Sequence, residues 1–214
     1  DVYKRQAHYM QNYQSQIRLM IKMQFQIGVA RRICETIGTL NMPSVSEKLG
    51  LMAAQAAMVE GLVYGMESGG GYYNGYYVPD RNLMYTAQVL TQQLYPEFIT
   101  SMREIAGGGL IMLPSSVKDF ENPEIAKYIH ATQNSAVGTS EEKVKFMKLA
   151  WDAIGSEFAS RHTQYEMFYA GAQFVTRGHA LRTYDWNRSK ILVDDILNSY
   201  NLEDMFEEKN VAAE

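Results

Sequence analysis

Residues 7–38 read AHYMQNYQSQIRLMIKMQFQIGVARRICETIG, a long stretch that contains no proline. Apolar residues recur in it every four positions, namely Ile17, Ile21, Phe25, Val29, Ile33 and Ile37. Apolar residues three or four positions apart are typical of the buried face of a helix. The stretch is therefore predicted to form one long helix that packs through this face.

Two more long helices are predicted further along the chain. The first is expected to start at the capping-box pattern Ser44-Val45-Ser46-Glu47, because its apolar residues then follow at spacings of three and four. The second is expected from Leu83 to Ile105, ending at Gly107-Gly108-Gly109, with a kink or an interruption at Pro96. In the helix that is expected to start at Ser44, the packing positions are Val45, Leu49, Met52, Ala56, Val59 and Val63.

A stretch rich in glycine and tyrosine separates these two helices. Residues 68–79 read SGGGYYNGYYVP, and glycine and proline both disfavour a helix interior. A loop is predicted here, and no strand is predicted anywhere in the chain. Its tyrosines could stack on an aromatic ligand, but packing against the bundle or a neighbouring subunit is the favoured interpretation.

The last third of the chain is predicted to be helical as well. A second capping box, Thr139-Ser140-Glu141-Glu142, opens a helix that continues towards Tyr169. A short helix is expected from Asn122 to about His130, and a terminal helix after Trp186. These elements predict an all-α antiparallel helical bundle. The expected organisation is a non-native or disordered leader at 1–6, one domain at 7–206 and a disordered tail at 207–214.

Composition excludes several classes of protein. The net charge of −4 offers no basic face for nucleic acid. Cys34 is the single cysteine of the 214 residues, which excludes a disulfide within the chain and fits a reducing compartment. No signal peptide is recognised, and no stretch is judged to approach a membrane span. A cytoplasmic protein that binds neither nucleic acid nor membrane is expected.

The residues by themselves indicate no self-contained catalytic site. There is no metal-type histidine pair, nucleophile elbow or phosphate loop. The four histidines, His8, His130, His162 and His179, are interpreted as surface or packing residues. A glycine run after a helix is more often a C-cap than a pyrophosphate contact, and the triplet at 107–109 is interpreted in that way.

Three segments resemble the 4-hydroxyphenylacetate 3-monooxygenase oxygenase family. Residues 149–171, LAWDAIGSEFASRHTQYEMFYAG, resemble the family's LAWD…GSxFxSRxxxYExFYxG signature. Leu94-Tyr95-Pro96 together with residues 107–114, GGGLIMLP, resemble its YP…GxGLxxLP stretch. Residues 22–30, KMQFQIGVA, resemble its KLEFxLGxA.

The resemblance implies the fold and the function of a longer protein. Family members are similar to acyl-CoA dehydrogenases, with a helical N-terminal domain, a β-barrel and a C-terminal bundle that forms tetramers. This chain is expected to be the bundle, acting as the flavin-binding and oligomerisation domain. In the parent, an NAD(P)H-flavin reductase would supply reduced FAD, or FMN. A flavin C4a-hydroperoxide would then hydroxylate a phenolic substrate ortho to its hydroxyl.

The resemblance also implies where the site residues lie. The residues that hold the phenol belong to the family's N-terminal part, so no catalytic residue and no metal ligand is expected in this chain, which alone should be inactive. The family's flavin-contacting turn carries over to Gly171, Ala172, Gln173 and Phe174, although many relatives have Gly-Asp-Pro there. By analogy with acyl-CoA dehydrogenases, Gly107, Gly108 and Gly109 would approach flavin on an adjacent subunit.

One further candidate and two alternative functions belong to this interpretation. Arg161 would bind phosphate or, as is favoured, pair with Glu157 or Glu166. The partner expected for the chain itself is a second copy, in a dimer of dimers. One alternative is a 4-hydroxybutyryl-CoA dehydratase-like enzyme, which needs cysteine to ligate its iron–sulfur cluster. That branch has a ligating His and Cys seven residues apart, whereas here Ser15 stands seven residues after His8. The other is a non-catalytic oligomerisation module.

Overall fold

The computed structural model describes residues 2–200, which fold as a helical bundle. The all-α prediction is confirmed. The helices of the described part are α1 Val2–Ile37, α2 Pro43–Ser68, α3 Arg81–Ala106, α4 Pro123–Thr132, α5 Ser140–Ile154, α6 Glu157–Phe168, α7 Gln173–Thr183 and α8 Trp186–Asn198. Because α1 begins at Val2, residues 2–6 continue a helix where a leader was predicted. The tail predicted at 207–214 lies outside the described residues.

Helix α3 lies at the centre of the bundle. It contacts α1, α2, α6 and α7, while α5 packs against α1 and α6. The core contains mainly methionine and large apolar side chains. Its fully buried members include Leu19, Met23, Ile33, Met52, Tyr95, Phe98, Met102, Met147 and Ile154. Removal of this apolar surface from water is the main force that holds the bundle together.

The buried face of α1 differs from the predicted one. Val29 and Ile33 are buried, but Ile21 and Phe25 are about half exposed. In a helix of 3.6 residues per turn, a row with a strict spacing of four drifts by about 40° at each step. The row therefore winds from the surface at Ile21 and Phe25 to the core at Val29 and Ile33, and Leu19 and Met23 occupy the core positions in the first half of the helix.

Helix α2 starts earlier than its sequence pattern indicated. The capping box predicted at Ser44 is wrong, because Pro43 already occupies the first turn and Met42 is the N-cap, with no side-chain hydrogen bond. Proline suits this position since its missing N–H would have no partner there anyway. Ser46 instead donates to the Leu40 carbonyl at 2.8 Å. The packing positions Met52, Ala56, Val59 and Val63 are buried as predicted.

The composition of α2 corrects a second expectation. Among the described residues it is the one helix long and apolar enough to cross a membrane, since its most apolar window of 18 residues has a mean hydropathy of 1.3. The judgement that no stretch approaches this composition is therefore wrong. Since Met52, Val59 and Met66 are fully buried within the bundle, such a composition also suits a core helix with an apolar outer face.

The stretch between α2 and α3 is a hairpin. Strand β1 (Gly71–Tyr73) pairs antiparallel with β2 (Tyr76–Val78), so the expectation of a loop without strands is wrong. Asn74 and Gly75 both have positive φ, as a tight two-residue hairpin turn requires. Tyr72 and Tyr76 project into solvent and do not pack on the bundle.

The helix predicted from Thr139 towards Tyr169 is two helices. The capping box at Thr139 and Glu142 is confirmed. At Gly155, however, α5 ends, and the Ser156 hydroxyl accepts from the Ala159 N–H at 3.2 Å to begin α6. The apolar pattern runs across this break, but Phe158, its member on α6, is 62% exposed, so the pattern does not mark one buried face there.

Helix α3 continues through Pro96. Of the kink or interruption predicted at Pro96, the interruption is wrong, since the helix runs from Arg81 to Ala106, and a kink stays a prediction. Proline removes the hydrogen bond that the Gln92 carbonyl would otherwise accept. Tyr95 and Phe98, on either side of the proline, are fully buried, and their packing keeps the helix whole.

Candidate functional site

Of the four residues predicted to contact flavin, Gly171 and Ala172 lie in the turn between α6 and α7, and Gln173 and Phe174 are the first two residues of α7. Gly171 has φ +114°, a conformation that side chains other than glycine rarely adopt. Its N–H donates to the Phe168 carbonyl at 2.9 Å. A Cβ built on Gly171 would meet no atom within 4 Å, so the outer face of the turn is open.

Helix α7 begins directly after this turn with free backbone donors. Its N-cap, Ala172, has no side chain that could accept from the first turn. Within residues 2–200, the N–H groups of Ala172, Gln173 and Phe174 have no acceptor. Free N–H groups at a helix start are suitable donors for anionic or carbonyl oxygens of a ligand. The Phe174 ring is exposed beside them.

A buried glutamine lies beneath the turn. Gln92 of α3 is 2% exposed, and its Nε2 donates to the carbonyls of Met167 at 2.9 Å and Gly171 at 2.7 Å. Its Oε1 accepts from the hydroxyl of Thr176, a residue of α7 that is fully buried. The amide therefore ties the end of α6, the turn and the start of α7 to the central helix.

The glycine triplet lies elsewhere in the bundle. Gly107 has φ +54° and is the C-cap of α3, as the structural interpretation of the triplet indicated. Gly107 to Leu110 then form a 3₁₀ turn, in which Gly109 faces Met147. About 15 residues of α3 separate Gln92 from Gly107, or about 22 Å along the axis. One chain does not bring together the triplet and the turn that is predicted to contact flavin.

Arg161 lies on the outer surface of α6. Its Nε is 3.7 Å from the Glu157 carboxylate, and the two side chains are 80% and 88% exposed. The structure therefore pairs Arg161 with Glu157 and not with Glu166. Glu166 is occupied by cations from α1, and Arg161 is accessible to solvent.

Glu166 is the centre of a polar cluster that the sequence interpretation did not find. Arg18 donates two hydrogen bonds to its carboxylate, at 2.7 and 3.2 Å, and Lys22 donates a third at 2.5 Å. Lys22 also lies 2.8 Å from Nδ1 of His162 and over the Tyr95 ring. Each of the three segments that carry the family resemblance contributes one residue to this cluster, namely Lys22, Tyr95 and Glu166. The resemblance was therefore the signal in the sequence that could have pointed to the cluster.

Burial controls the protonation of this cluster. Desolvation lowers the pKa of Lys22, although the neighbouring Glu166 carboxylate acts in the opposite direction. Desolvation also lowers the pKa of His162, and the positive charge of Lys22 lowers it further. His162 is therefore held in its neutral form, and the ion pairs with Glu166 carry the charge of the cluster.

The remaining candidates for chemistry are accounted for by packing. His179 stacks on Tyr85 with ring centroids 4.7 Å apart, and Nδ1 of His130 is 2.7 Å from the Ser140 hydroxyl. Among the described residues, no three His, Cys, Asp or Glu side chains are grouped to hold a metal ion. Cys34 is fully buried.

Comparison with known proteins supports the resemblance. Residues 2–198 match the family described as 4-hydroxyphenylacetate 3-hydroxylase C terminal. The chain belongs to this family. It is 34% identical, over 167 residues, to the 4-hydroxyphenylacetate 3-monooxygenase oxygenase component of Pseudomonas aeruginosa, covering 77% of the chain and 32% of that protein. The chain thus spans about a third of the length of this family relative.

Solved structures of family members share the fold. The structure of a 4-hydroxyphenylacetate 3-monooxygenase oxygenase component complexed with FAD and 4-hydroxyphenylacetate superposes with a TM-score of 0.82 at 26% identity, covering 87% of the chain and 39% of that structure. An archaeal 4-hydroxybutyryl-CoA dehydratase from N. maritimus gives a TM-score of 0.74 at 20% identity, covering 84% and 36%. The second likeness shows a common fold only.

Proposed function

We propose that this chain is the flavin-binding, self-associating C-terminal part of the oxygenase of a two-component aromatic monooxygenase. The observation that carries the proposal is the likeness, over 87% of the chain, to an oxygenase component complexed with FAD and 4-hydroxyphenylacetate. The family match from residue 2 to 198 supports it. A phenol is the proposed substrate of the parent protein, and an NAD(P)H-flavin reductase its partner.

The residues of the turn between α6 and α7 fit a flavin. Backbone N–H donors at Ala172, Gln173 and Phe174 suit flavin carbonyl or phosphate oxygens, and an exposed Phe174 ring can stack on a planar ring system. None of these groups titrates near neutral pH, so the turn can bind and orient but cannot transfer a proton. When bound, reduced FAD supplies the electrons with which dioxygen is activated for ortho hydroxylation.

Two exposed apolar faces support self-association. On α2, Leu51, Met58 and Tyr64 are exposed, and on α8 no residue is buried. Large exposed apolar side chains that lie together on a helix often mark an interface. The exposed apolar residues of α8 are Trp186, Ile191, Leu192, Val193, Ile196 and Leu197. We propose that these faces join copies of the chain, as a dimer of dimers.

Anaerobic titration of the full chain with reduced FAD tests the flavin proposal. Phe174→Ala should weaken binding about two- to tenfold, the contribution of one aromatic contact. Phe158→Ala is the matched control, because Phe158 is also exposed but lies at the opposite end of α6. Absence of binding by the unchanged chain, or an equal effect of both variants, would contradict a flavin site at this turn.

Hydroxylation itself is tested in the parent oxygenase. With a flavin reductase, NADH and 4-hydroxyphenylacetate, a catechol product is expected. If no catechol forms from this or other simple phenols, the proposed reaction is wrong even if the turn binds flavin. The dehydratase alternative would gain support from cluster-ligating cysteines elsewhere in the parent, since Ser15 cannot ligate iron as a thiolate does and donates to the Asn12 carbonyl instead.

A further inference from the structure

We propose that Gln92 is a positioning residue that aims the backbone donors of the turn between α6 and α7 at the flavin. The inference rests on the proposed flavin site and adds the buried residue that holds the backbone of that site in place. Gln92 does not reach the surface, so it acts on a ligand only through the backbone of the turn.

The orientation of the Gln92 amide follows from its partners. Two carbonyl oxygens, of Met167 and Gly171, lie within hydrogen-bonding distance of one end of the amide. Carbonyl oxygens only accept, so the NH₂ end must face them. The Oε1 end then accepts from the Thr176 hydroxyl at 2.8 Å. Both amide hydrogens and the amide oxygen have hydrogen-bond partners. Rotation of the amide by 180° would place its oxygen against two carbonyl oxygens, so one orientation is favoured.

This arrangement determines which way the next peptide group points. In a trans peptide, the carbonyl of one residue and the N–H of the next point in opposite directions. The Gly171 carbonyl points inward to Gln92, so the Ala172 N–H points outward, where no described residue accepts it. Gln92 thereby sets the direction of the first free donor of the turn.

Thr176 extends the same control to α7. Its buried hydroxyl lies 2.8 Å from Gln92 Oε1 and 3.0 Å from the Gln173 carbonyl, both of them acceptors. The single hydroxyl hydrogen is shared between these two acceptors, and the contact with Gln92 Oε1 is the shorter one. The first turn of α7 is thus attached to α3, and the N–H groups of Gln173 and Phe174 keep their direction relative to that of Ala172.

A matched control lies one turn away on α3. Gln88 is 1% exposed, and its Nε2 has no partner among the described residues. Gln92→Met and Gln88→Met therefore replace the same residue type in the same helix with an apolar side chain of similar length. Only the first substitution leaves the carbonyls of Met167 and Gly171 without a donor.

The test combines two readouts on the full chain. Backbone hydrogen exchange without flavin reports the shape of the turn, and anaerobic titration with reduced FAD reports binding. Gln92→Met should accelerate exchange across residues 168–176 and weaken binding about tenfold, as expected for two lost hydrogen bonds. Gln88→Met should change neither. Thr176→Ser, which keeps the hydroxyl, should bind as the unchanged chain does, and Thr176→Val should bind more weakly.

Two results would overturn the inference while leaving the flavin proposal intact. One is that Gln92→Met loosens the turn but binds reduced FAD as tightly as Gln88→Met does. The other is that Gln92→Met leaves exchange across 168–176 unchanged. If the unchanged chain and Gln88→Met both bind no reduced FAD, the flavin proposal itself fails, and the positioning role fails with it.

Discussion

Replacement of Glu166 by glutamine should destabilise the bundle strongly. The carboxylate is 6% exposed and neutralises Arg18 and Lys22, whose side chains are 28% and 14% exposed. Removal of one partner from a buried ion pair costs about 3–5 kcal/mol, because the opposite charge stays buried. Since Arg18 is partly solvated and glutamine still accepts one hydrogen bond, we expect a loss of about 3 kcal/mol, which for a chain of this size corresponds to a fall in Tm of about 6–12 °C.

Urea unfolding followed by circular dichroism at pH 7.5 measures this loss. Glu157→Gln is the control, because Glu157 lies on the same helix but pairs with Arg161 at the surface. Its unfolding midpoint should be that of the unchanged chain, as exposed ion pairs contribute little. The double variant Lys22→Met/Glu166→Gln should lose less free energy of unfolding than the two single variants lose in total. A loss below about 1 kcal/mol for Glu166→Gln, or equal losses for both glutamate variants, would refute a stabilising role of the cluster.

Three further predictions concern single residues. Burial raises the pKa of the Cys34 thiol, so a thiol reagent should modify the native chain slowly and the urea-unfolded chain at once; fast labelling of the native chain would contradict its burial. Gly107→Ala should cost about 1–3 kcal/mol in urea unfolding because of its positive φ, whereas Gly108→Ala should be tolerated, and equal effects would exclude the C-cap role. The pKa of His162 is lowered from 6.5 in the folded chain, so its neutral form favours folding. Stability should therefore fall as pH drops below about 6.5, and His162→Gln should reduce this loss in urea titrations between pH 7.5 and 5; an unchanged pH profile would argue against it.

Local patterns were sufficient to find most helices of this chain. Apolar spacing on α2 identified buried positions such as Met52 and Val59, because these short-range rules depend on the period of one helix. These rules failed where contacts with the rest of the bundle determine whether a helix ends or continues. At Gly155 the apolar spacing continued although the helix did not, and at Pro96 burial of the flanking side chains kept the helix continuous where the local rule indicated a break.

The site was predictable only in part, for a reason of distance along the chain. The resemblance could name the residues around Gly171 as a candidate site because they are consecutive, and their contact with flavin stays a prediction. Gln92 is 79 positions from Gly171, and Arg18 is 148 positions from Glu166. No spacing rule links residues so far apart. Only the packing of α3 against α6 and α7 reveals that an inconspicuous glutamine in a helix supports the turn.

The separation between Arg18 and Glu166 has a consequence for synthesis on the ribosome. At about 5–20 residues per second, the carboxylate is made roughly 7–30 s after the two cations it neutralises. During that interval α1, α2 and α3 can pair, but Arg18 and Lys22 have no counter-charge from α6. We expect nascent chains that are stopped before α6 to keep this face of α1 hydrated and accessible to chaperones. In chains that continue, the face should close only when Glu166 leaves the exit tunnel.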